Sequence, residues 1–344
     1  MRKLLPVVAA LALAACSSEP QEPAVWAAGS STVFPFASRV AENMARKTGR
    51  PAPRIESLGT GGGIKAFCDG AGPGTPDLAL ASRRMKAGEW DDCRQAGVTV
   101  AELRVGADGV VVATDRRGAD YQLTLEQLYQ ALADELPTQG GGFTPNPHRT
   151  WRDVDGAFPP VRIQVYGPPP TSGTRDAFVE LAMDAGAEEV PAMAALKEQD
   201  EDAFQARART LREDGGWIDS GENDNALLQT LTRTPGALGV FGFSFLGQNR
   251  DRVKAAAIDG VQPTAAAIAD GSYPLARTLY VYVKKNALER TPGLRPYLAE
   301  FLSEAASGKG GYLLDQGMIP LPPQELVASR ALVPALPDMP RPEG

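Results

Sequence analysis

Three times along this chain a short apolar run ends in a loop of glycine and hydroxyl residues, and a helical pattern begins at once. The loops are Gly29-Ser30-Ser31-Thr32, Gly59-Thr60-Gly61-Gly62-Gly63 and Thr171-Ser172-Gly173-Thr174. Strands that alternate with helices in this way predict an α/β sheet architecture, in which ligands bind at the carboxyl ends of the strands. A chain of 344 residues is too long for one ordinary core, so two domains or lobes are expected.

The rest of the pattern fits that rhythm. Short strands are expected at 25–27, 54–58, around Leu78 and Leu80, at 110–113, at 161–165, at 237–245 and at 279–283. Pro35 followed by Phe36, Val40 and Met44 marks a helix start and one apolar helical face. Helices are also read at 123–136 and 188–212 and, with a glycine interruption, at 298–314. Residues 139–160, rich in Gly and Pro, read as a loop.

The chemistry of the three loops is shared. A helix start leaves several N–H groups without partners and carries partial positive charge. Glycine lets backbone approach a ligand, and Ser or Thr adds a hydroxyl donor. Taken singly, each loop reads as an N-cap or a turn. Taken together, with Arg83 after the strand end at Ser82 and Arg175 directly after the third loop, they point to a site for a tetrahedral oxyanion. Arg233, Arg277 and the Lys284-Lys285 pair read as solvated surface charges.

The N-terminus reads as a targeting segment. Met1-Arg2-Lys3 precedes a short apolar run and the small residues Ala14-Ala15, the order of a secretory signal peptide over 1–15. Leu13-Ala14-Ala15-Cys16 resembles a bacterial lipobox, which implies cleavage before Cys16 and lipidation of its thiol. Residues 16–24 then form a tether, and the body is expected in the periplasm or cell envelope, anchored to a membrane by its lipid. Cys68 and Cys93 remain, an even pair that an oxidising compartment would join; two separate buried thiols are the alternative.

Composition removes several function classes. The formal charge of −7 argues against nucleic acid as a partner. With one histidine, His148, no Ser-His-Asp apparatus or histidine-rich metal site suggests itself, and no Walker loop or nucleophile elbow is present. No catalytic residue, metal or cofactor is expected, although a carboxylate-dependent enzyme remains open.

On these residues the chain resembles the phosphate-binding proteins of bacterial phosphate ABC transporters. The likeness rests on Gly29-Ser30-Ser31-Thr32-Val33-Phe34-Pro35, on Gly59-Thr60-Gly61-Gly62-Gly63-Ile64-Lys65 and on Thr171-Ser172-Gly173-Thr174-Arg175-Asp176-Ala177-Phe178. Asn223-Asp224 and Thr234-Pro235-Gly236-Ala237-Leu238-Gly239 add a further segment. The resemblance implies a two-lobed type II periplasmic binding protein: two α/β lobes, an interlobe cleft and two crossover strands. It places lobe 1 at 25–109 plus 284–344 and lobe 2 at 110–283. It implies phosphate held by Ser31, Thr32, Val33, Thr60, Ser82, Ser172, Gly173 and Thr174, to which Arg83 and Arg175 are added here on chemical grounds.

Two departures stand out. Where some members carry an Asp that accepts the proton of phosphate, this chain has Ser82; Asp176 or Asp224 could take that role. Where some carry an Arg before the Ser-Gly-Thr loop, this chain has Pro168. The expected function is capture of inorganic phosphate by a monomer and delivery to an ABC permease. The alternatives are an oxyanion sensor or scavenger without a transporter, for a sulfate-like ligand, and a phosphohydrolase using Asp176 or Asp224.

Overall fold

The computed structural model describes residues 23–170, 172–221 and 223–342. The leader, Cys16, most of the tether and Thr171 lie outside the described residues. Among the described residues no helix is long and apolar enough to cross a membrane.

The main sheet is built from β1 (Trp26–Gly29), β2 (Arg54–Ser57), β3 (Leu78–Ala81), β4 (Val100–Asp115), β5 (Val165–Gly167), β6 (Trp217–Asp219), β7 (Leu238–Gly242), β8 (Val253–Ala255) and β9 (Ala276–Lys284). The order is β2-β1-β3-β9-β4-β7-β5-β6, with β8 also on β4. β1 runs parallel to β2 and β3, and β5 runs parallel to β6 and β7. Each parallel group is the centre of one half of the molecule.

β4 belongs to both halves. Its residues up to Gly109 pair with β9, and its residues from Val110 pair with β7. Val110, Val111, Val112 and Ala113 are all buried, which explains the uninterrupted apolar run at the centre of the second half. The strand begins ten residues earlier than its apolar run. Ala101, Leu103 and Val105 alternate with Glu102 and Arg104, a half-buried strand pattern. β9 pairs with β3 and with the first part of β4. Residues 279–283, read from sequence as a crossover on the second unit's side, thus hydrogen-bond to strands of the first half.

Helices α1 (Phe34–Thr48), α2 (Thr60–Cys68) and α3 (Ala87–Gln95) follow the first three strands. β3 shows how they pack. Its leucines, Leu78 and Leu80, join Val40 and Met44 of α1 in one core, and its alanines, Ala79 and Ala81, join Ile64 and Phe67 of α2 in another. That division is the two-residue period of a strand covered on both faces. Cys68 and Cys93 are bonded to each other and tie the end of α2 to α3. Closing a loop of 25 residues restricts the unfolded chain by ~3 kcal/mol.

The second half carries α4 (Gly173–Phe178), a π-helical turn (Val179–Asp184), a last helical turn (Ala185–Glu188), α5 (Pro191–Gln199) and α6 (Glu201–Ala208). Its core gathers Leu128, Leu132, Phe178, Leu231 and Val240. Several local readings differ from the structure. The loop read at 139–160 holds a short strand, Phe143–Pro145, and a helical turn, Trp151–Val154; the strand read at 161–165 is Val165–Gly167; and the helix read at 188–212 is α5 and α6, broken at Asp200. The helix read at 123–136 is Leu125–Leu132, capped by Thr124 and flanked by short strands at Gln122–Leu123 and Glu135–Pro137. The strand read at 237–245 stops at Gly242, where Phe243–Gln248 turns helical. The helix read at 298–314 starts earlier, as Leu294–Phe301, and Glu304–Ser307 follows Ser303 as a separate capped turn.

Candidate oxyanion site between the two halves

The carboxyl ends of β1, β2 and β3 and the helical segments from α4 to α6 meet over a cavity of about 580 Å³. Ser31, Thr60, Ser82 and Arg83 line it from the first half, and Asp176, Glu180 and Asp184 from the second. Glycine makes the first wall possible. Gly59 has φ of 72°, a left-handed conformation that L side chains avoid, and it turns the chain from β2 into α2. A Cβ on Gly63 would stand 2.2 Å from the Cα of Gly29, so the first turn of α2 rests directly on the backbone of β1.

The hydroxyls are positioned by each other and by backbone. The Ser82 N–H donates to Thr60 Oγ1 at 3.1 Å, and the two hydroxyl oxygens are 3.0 Å apart. In the first loop, Ser30 donates its N–H to the Leu80 carbonyl at 2.8 Å, and its Oγ accepts from the Val33 N–H at 3.4 Å. Val33 is fully buried, so only its backbone could serve a ligand. Ser31 Oγ donates to Asp176 Oδ2 at 2.9 Å, and Thr32 Oγ1 donates to the Gly173 carbonyl at 3.3 Å. Both bonds cross between the halves.

The third loop closes on the first. Ser172 Oγ accepts from the Thr174 N–H at 3.3 Å, an N-cap for α4. A Cβ on Gly173 would stand 2.9 Å from the Thr32 nitrogen, so only glycine allows this approach. Thr32, Ser172, Gly173 and Thr174 pack together beside Ser31's loop and are not among the residues lining the cavity.

The arginines are distributed differently from their sequence reading. Arg83 lines the cavity, but both terminal nitrogens are held by Glu89, at 2.8 and 2.9 Å, and its Nε faces Glu180 at 3.7 Å. The hydrogen bond and charge of Glu89 raise its pKa. Glu89 also accepts the Lys86 N–H at 2.8 Å, so one carboxylate fixes the whole exit of β3. Arg175 does not line the cavity. Its guanidinium lies 4.5 Å from the Trp217 ring centre and donates to Asp219 at 3.0 Å. The aromatic face and carboxylate at β6 capture it first.

Arg277, and not Arg175, is the arginine that reaches the first and third loops. Read as a surface charge, it has a side chain only 4% exposed. It projects from β9 opposite Asp108, 3.4 Å away. It also donates to the Thr32 hydroxyl and, at 3.2 Å, to the Gly173 carbonyl. One cation on a sheet strand thus holds two of the three loops together. Lys284 is corrected in the same sense. It is fully buried, and its Nζ donates to the Gly70 carbonyl at 2.6 Å and to Thr75 Oγ1 at 2.5 Å.

The opposite wall is a column of carboxylates that sequence reading passed over. Asp176, Glu180, Asp184 and Glu188 recur every fourth residue and all line the cavity. A straight α-helix turns ~100° per residue, so every fourth residue drifts by ~40° per step. The π turn at Val179–Asp184 winds less per residue and takes up that drift. The four-residue spacing itself was the available signal. Asp184 is gripped by Arg209 through three contacts of 2.5 to 3.0 Å, and Glu188 by Lys197 at 2.5 Å. Burial pushes the Asp184 carboxyl up, against the lowering pull of Arg209. Asp224 stands in the first turn of Asp224–Arg233, outside the cavity lining. Among the described residues no group of three or more His, Cys, Asp or Glu side chains is placed to hold a metal ion.

A family described as the PBP superfamily domain matches residues 15–308. The chain belongs to the PBP superfamily. Among its relatives, protein SphX of Synechococcus elongatus is 29% identical over 315 residues, covering 90% of this chain and 81% of its own length. The phosphate-binding protein PstS of Staphylococcus saprophyticus is 27% identical over 304 residues, covering 86% of this chain and 80% of its own. The crystal structure of a possible phosphate binding protein from Planctomyces limnophilus is similar at a TM-score of 0.69 and 26% identity, spanning 92% of this chain and 99% of that one. The two halves are the lobes of the type II fold, and in this PBP-superfamily chain the cavity is its interlobe cleft.

Proposed function

We propose that this chain binds inorganic phosphate in the interlobe cavity, outside the cytoplasm, and delivers it to an ABC permease without catalysing a reaction. The observation that carries the reading is the convergence of Ser31, Thr60 and Ser82 on one cavity, with Ser31 bonded across the cleft to Asp176. One hydroxyl of the Thr60–Ser82 pair donates to a phosphate oxygen, and Ser31 does so by releasing its bond to Asp176, with the first amides of α2 beside them. Thr32, Val33, Ser172, Gly173 and Thr174 pack beside Ser31, and Arg277 joins the loops. The relatives named phosphate-binding protein favour this ligand over other oxyanions.

Asp176 supplies the discrimination that Ser82 cannot. A monoprotonated phosphate needs an acceptor for its proton, and a carboxylate beside Ser31 provides one. A fully deprotonated sulfate has no proton to offer and meets that carboxylate as a like charge. The lobes divide between Gly109 and Val110 on β4 and, on the returning chain, ahead of β9. Cys16 carries the lipid, and the protein works as a monomer.

Titration calorimetry with phosphate and sulfate tests the assignment. The chain binds phosphate, and sulfate about threefold to fivefold more weakly, since Asp176 is exposed and an exposed charge contributes ~1 kcal/mol or less. Asp176→Asn brings that ratio close to one. The assignment fails if neither anion gives heat, or if the ratio survives the substitution.

A further inference from the structure

The interlobe cavity opens toward a second hollow. A groove of about 910 Å³ lies outside it, between the exit of β3, helices α5 and α6 and the C-terminal segment. Lys86, Lys197 and Glu201 line both spaces, so the two are neighbours parted by these side chains. Lys86 Nζ and Glu201 Oε1 form an ion pair of 3.0 Å between first lobe and second, at the neck.

The charges of the outer groove contrast with those of the protein. The chain as a whole is acidic, at −7, and the inner wall is a column of carboxylates. Yet the outer groove presents Arg84, Lys86, Lys197 and Arg341 against one carboxylate, Glu201. Arg84 and Arg341 are each forked onto a carboxylate outside the groove. Arg84 holds Glu102 at 3.0 and 3.1 Å, and Arg341 holds Asp91 at 2.9 and 2.7 Å. A forked arginine is fixed in direction and keeps further donors, since a guanidinium carries five N–H groups.

Cations mark the path inward on both lobes, although inside the cavity they face five carboxylates, Asp176, Glu180, Asp184, Glu188 and Glu201. On the first lobe, the exit of β3 places Arg84 outside, Lys86 at the neck, and Arg83 and then Ser82 inside. On the second, Lys197 stands at the neck and Arg209 inside. The backbone of this exit is rigid: the Met85 N–H donates to the Tyr282 hydroxyl at 2.6 Å, and Glu89 clamps Arg83 and Lys86. The neck is weak by comparison. Lys86 and Glu201 are each 53% exposed, and an exposed pair of this kind contributes at most ~1 kcal/mol. Thermal motion opens it easily, and an arriving dianion competes with Glu201 for Lys86.

We propose that this outer groove is a collecting vestibule for phosphate anions, in which Arg84 and Arg341 raise the local anion concentration and Lys86 passes the ion inward as its bond to Glu201 yields. The vestibule rests on the reading of the inner cavity as a phosphate site. Its role is kinetic: it offsets the repulsion of an acidic protein on an approaching anion, and it acts on association more than on affinity.

The test follows association of inorganic phosphate with the folded chain by stopped-flow tryptophan fluorescence, between ~20 mM and ~1 M ionic strength, where the screening length shrinks from ~20 Å to ~3 Å. Equilibrium calorimetry runs alongside. In the unaltered chain the association rate constant falls at least about tenfold across that range. Arg84→Gln with Arg341→Gln lowers it about three- to tenfold at low salt and not at ~1 M, with dissociation changed less than about twofold. Lys86→Gln slows association and also speeds dissociation, because it removes the neck pair. A chain that binds no phosphate at equilibrium removes both the functional reading and this one. Normal binding with an association rate indifferent to salt and to the double substitution removes the vestibule alone.

Discussion

On the first lobe's wall the cavity meets Ser31, Thr60 and Ser82, short side chains on turns held by backbone. On the second lobe's wall it meets Asp176, Glu180, Asp184 and Glu188, long or charged side chains on a helix, most of them held by cations. The first wall is preorganised. Gly63 seats α2 on β1, Thr60 and Ser82 bond each other, and a disulfide ties α2 to α3. The second wall is a charge lattice in which carboxylates outnumber cations and partners can exchange. A small anion gains most from donors already in place, since little ordering is left to do on binding. The charge lattice decides which anion is accepted and how the lobes meet.

The comparison breaks or sharpens with substitutions on either side. Thr60→Val with Ser82→Ala removes a hydroxyl pair that uses one proton in its mutual bond and has one left for the ligand. A hydrogen bond to a charged group contributes ~1.5–3 kcal/mol, so the loss is ~10–10²-fold in phosphate Kd by calorimetry. Glu180→Gln with Glu188→Gln on the other wall changes Kd less than about tenfold. If the second pair costs more than the first, the preorganised wall is not the seat of the anion.

The next effect tests the rigidity of the first lobe. Burial, reinforced by the nearby charge of Arg290, brings the Lys284 pKa down to about 8. A lysine in the unfolded chain titrates near ~10.4. Between these values the unfolded chain binds more protons than the folded one, so stability rises with pH across the window. The gain is up to ~3 kcal/mol between about pH 8 and pH 10, read from urea unfolding. Lys284→Met flattens that slope; an unchanged slope would locate the titrating group elsewhere.

The smallest effect is expected at Arg175. Because it stacks on Trp217 and pairs with Asp219, away from the cavity lining, Arg175→Met should shift phosphate Kd by less than about threefold, ~0.6 kcal/mol. A loss of ~100-fold would return this residue to the anion site and reverse the reading of the second wall.

Much of this arrangement was legible before any coordinates. The glycine and hydroxyl loops lie at strand ends because local chemistry demands it: Gly59 needs its left-handed turn, and Ser172 caps the helix that follows it. The even pair Cys68 and Cys93 was enough to expect a bond, and the alternation of strand and helix to expect the α/β class. Those features depend on residues close together in the chain. The start of β4 was also written locally, in the alternation from Ala101 to Val105, but its charged alternate positions masked it.

What the sequence determined alone was the set of turns and the rhythm of elements, because both follow from backbone preferences over a few residues. What only the tertiary structure decided was the role of each charge. Arg277 and Lys284 look like solvated cations in the chain, yet β9 runs through the middle of the sheet and buries both. Arg175 looks like an anion ligand, yet Trp217 and Asp219, more than forty residues away, hold it first. A charge acts on whatever faces it within a few ångströms, and those neighbours come from distant parts of the chain.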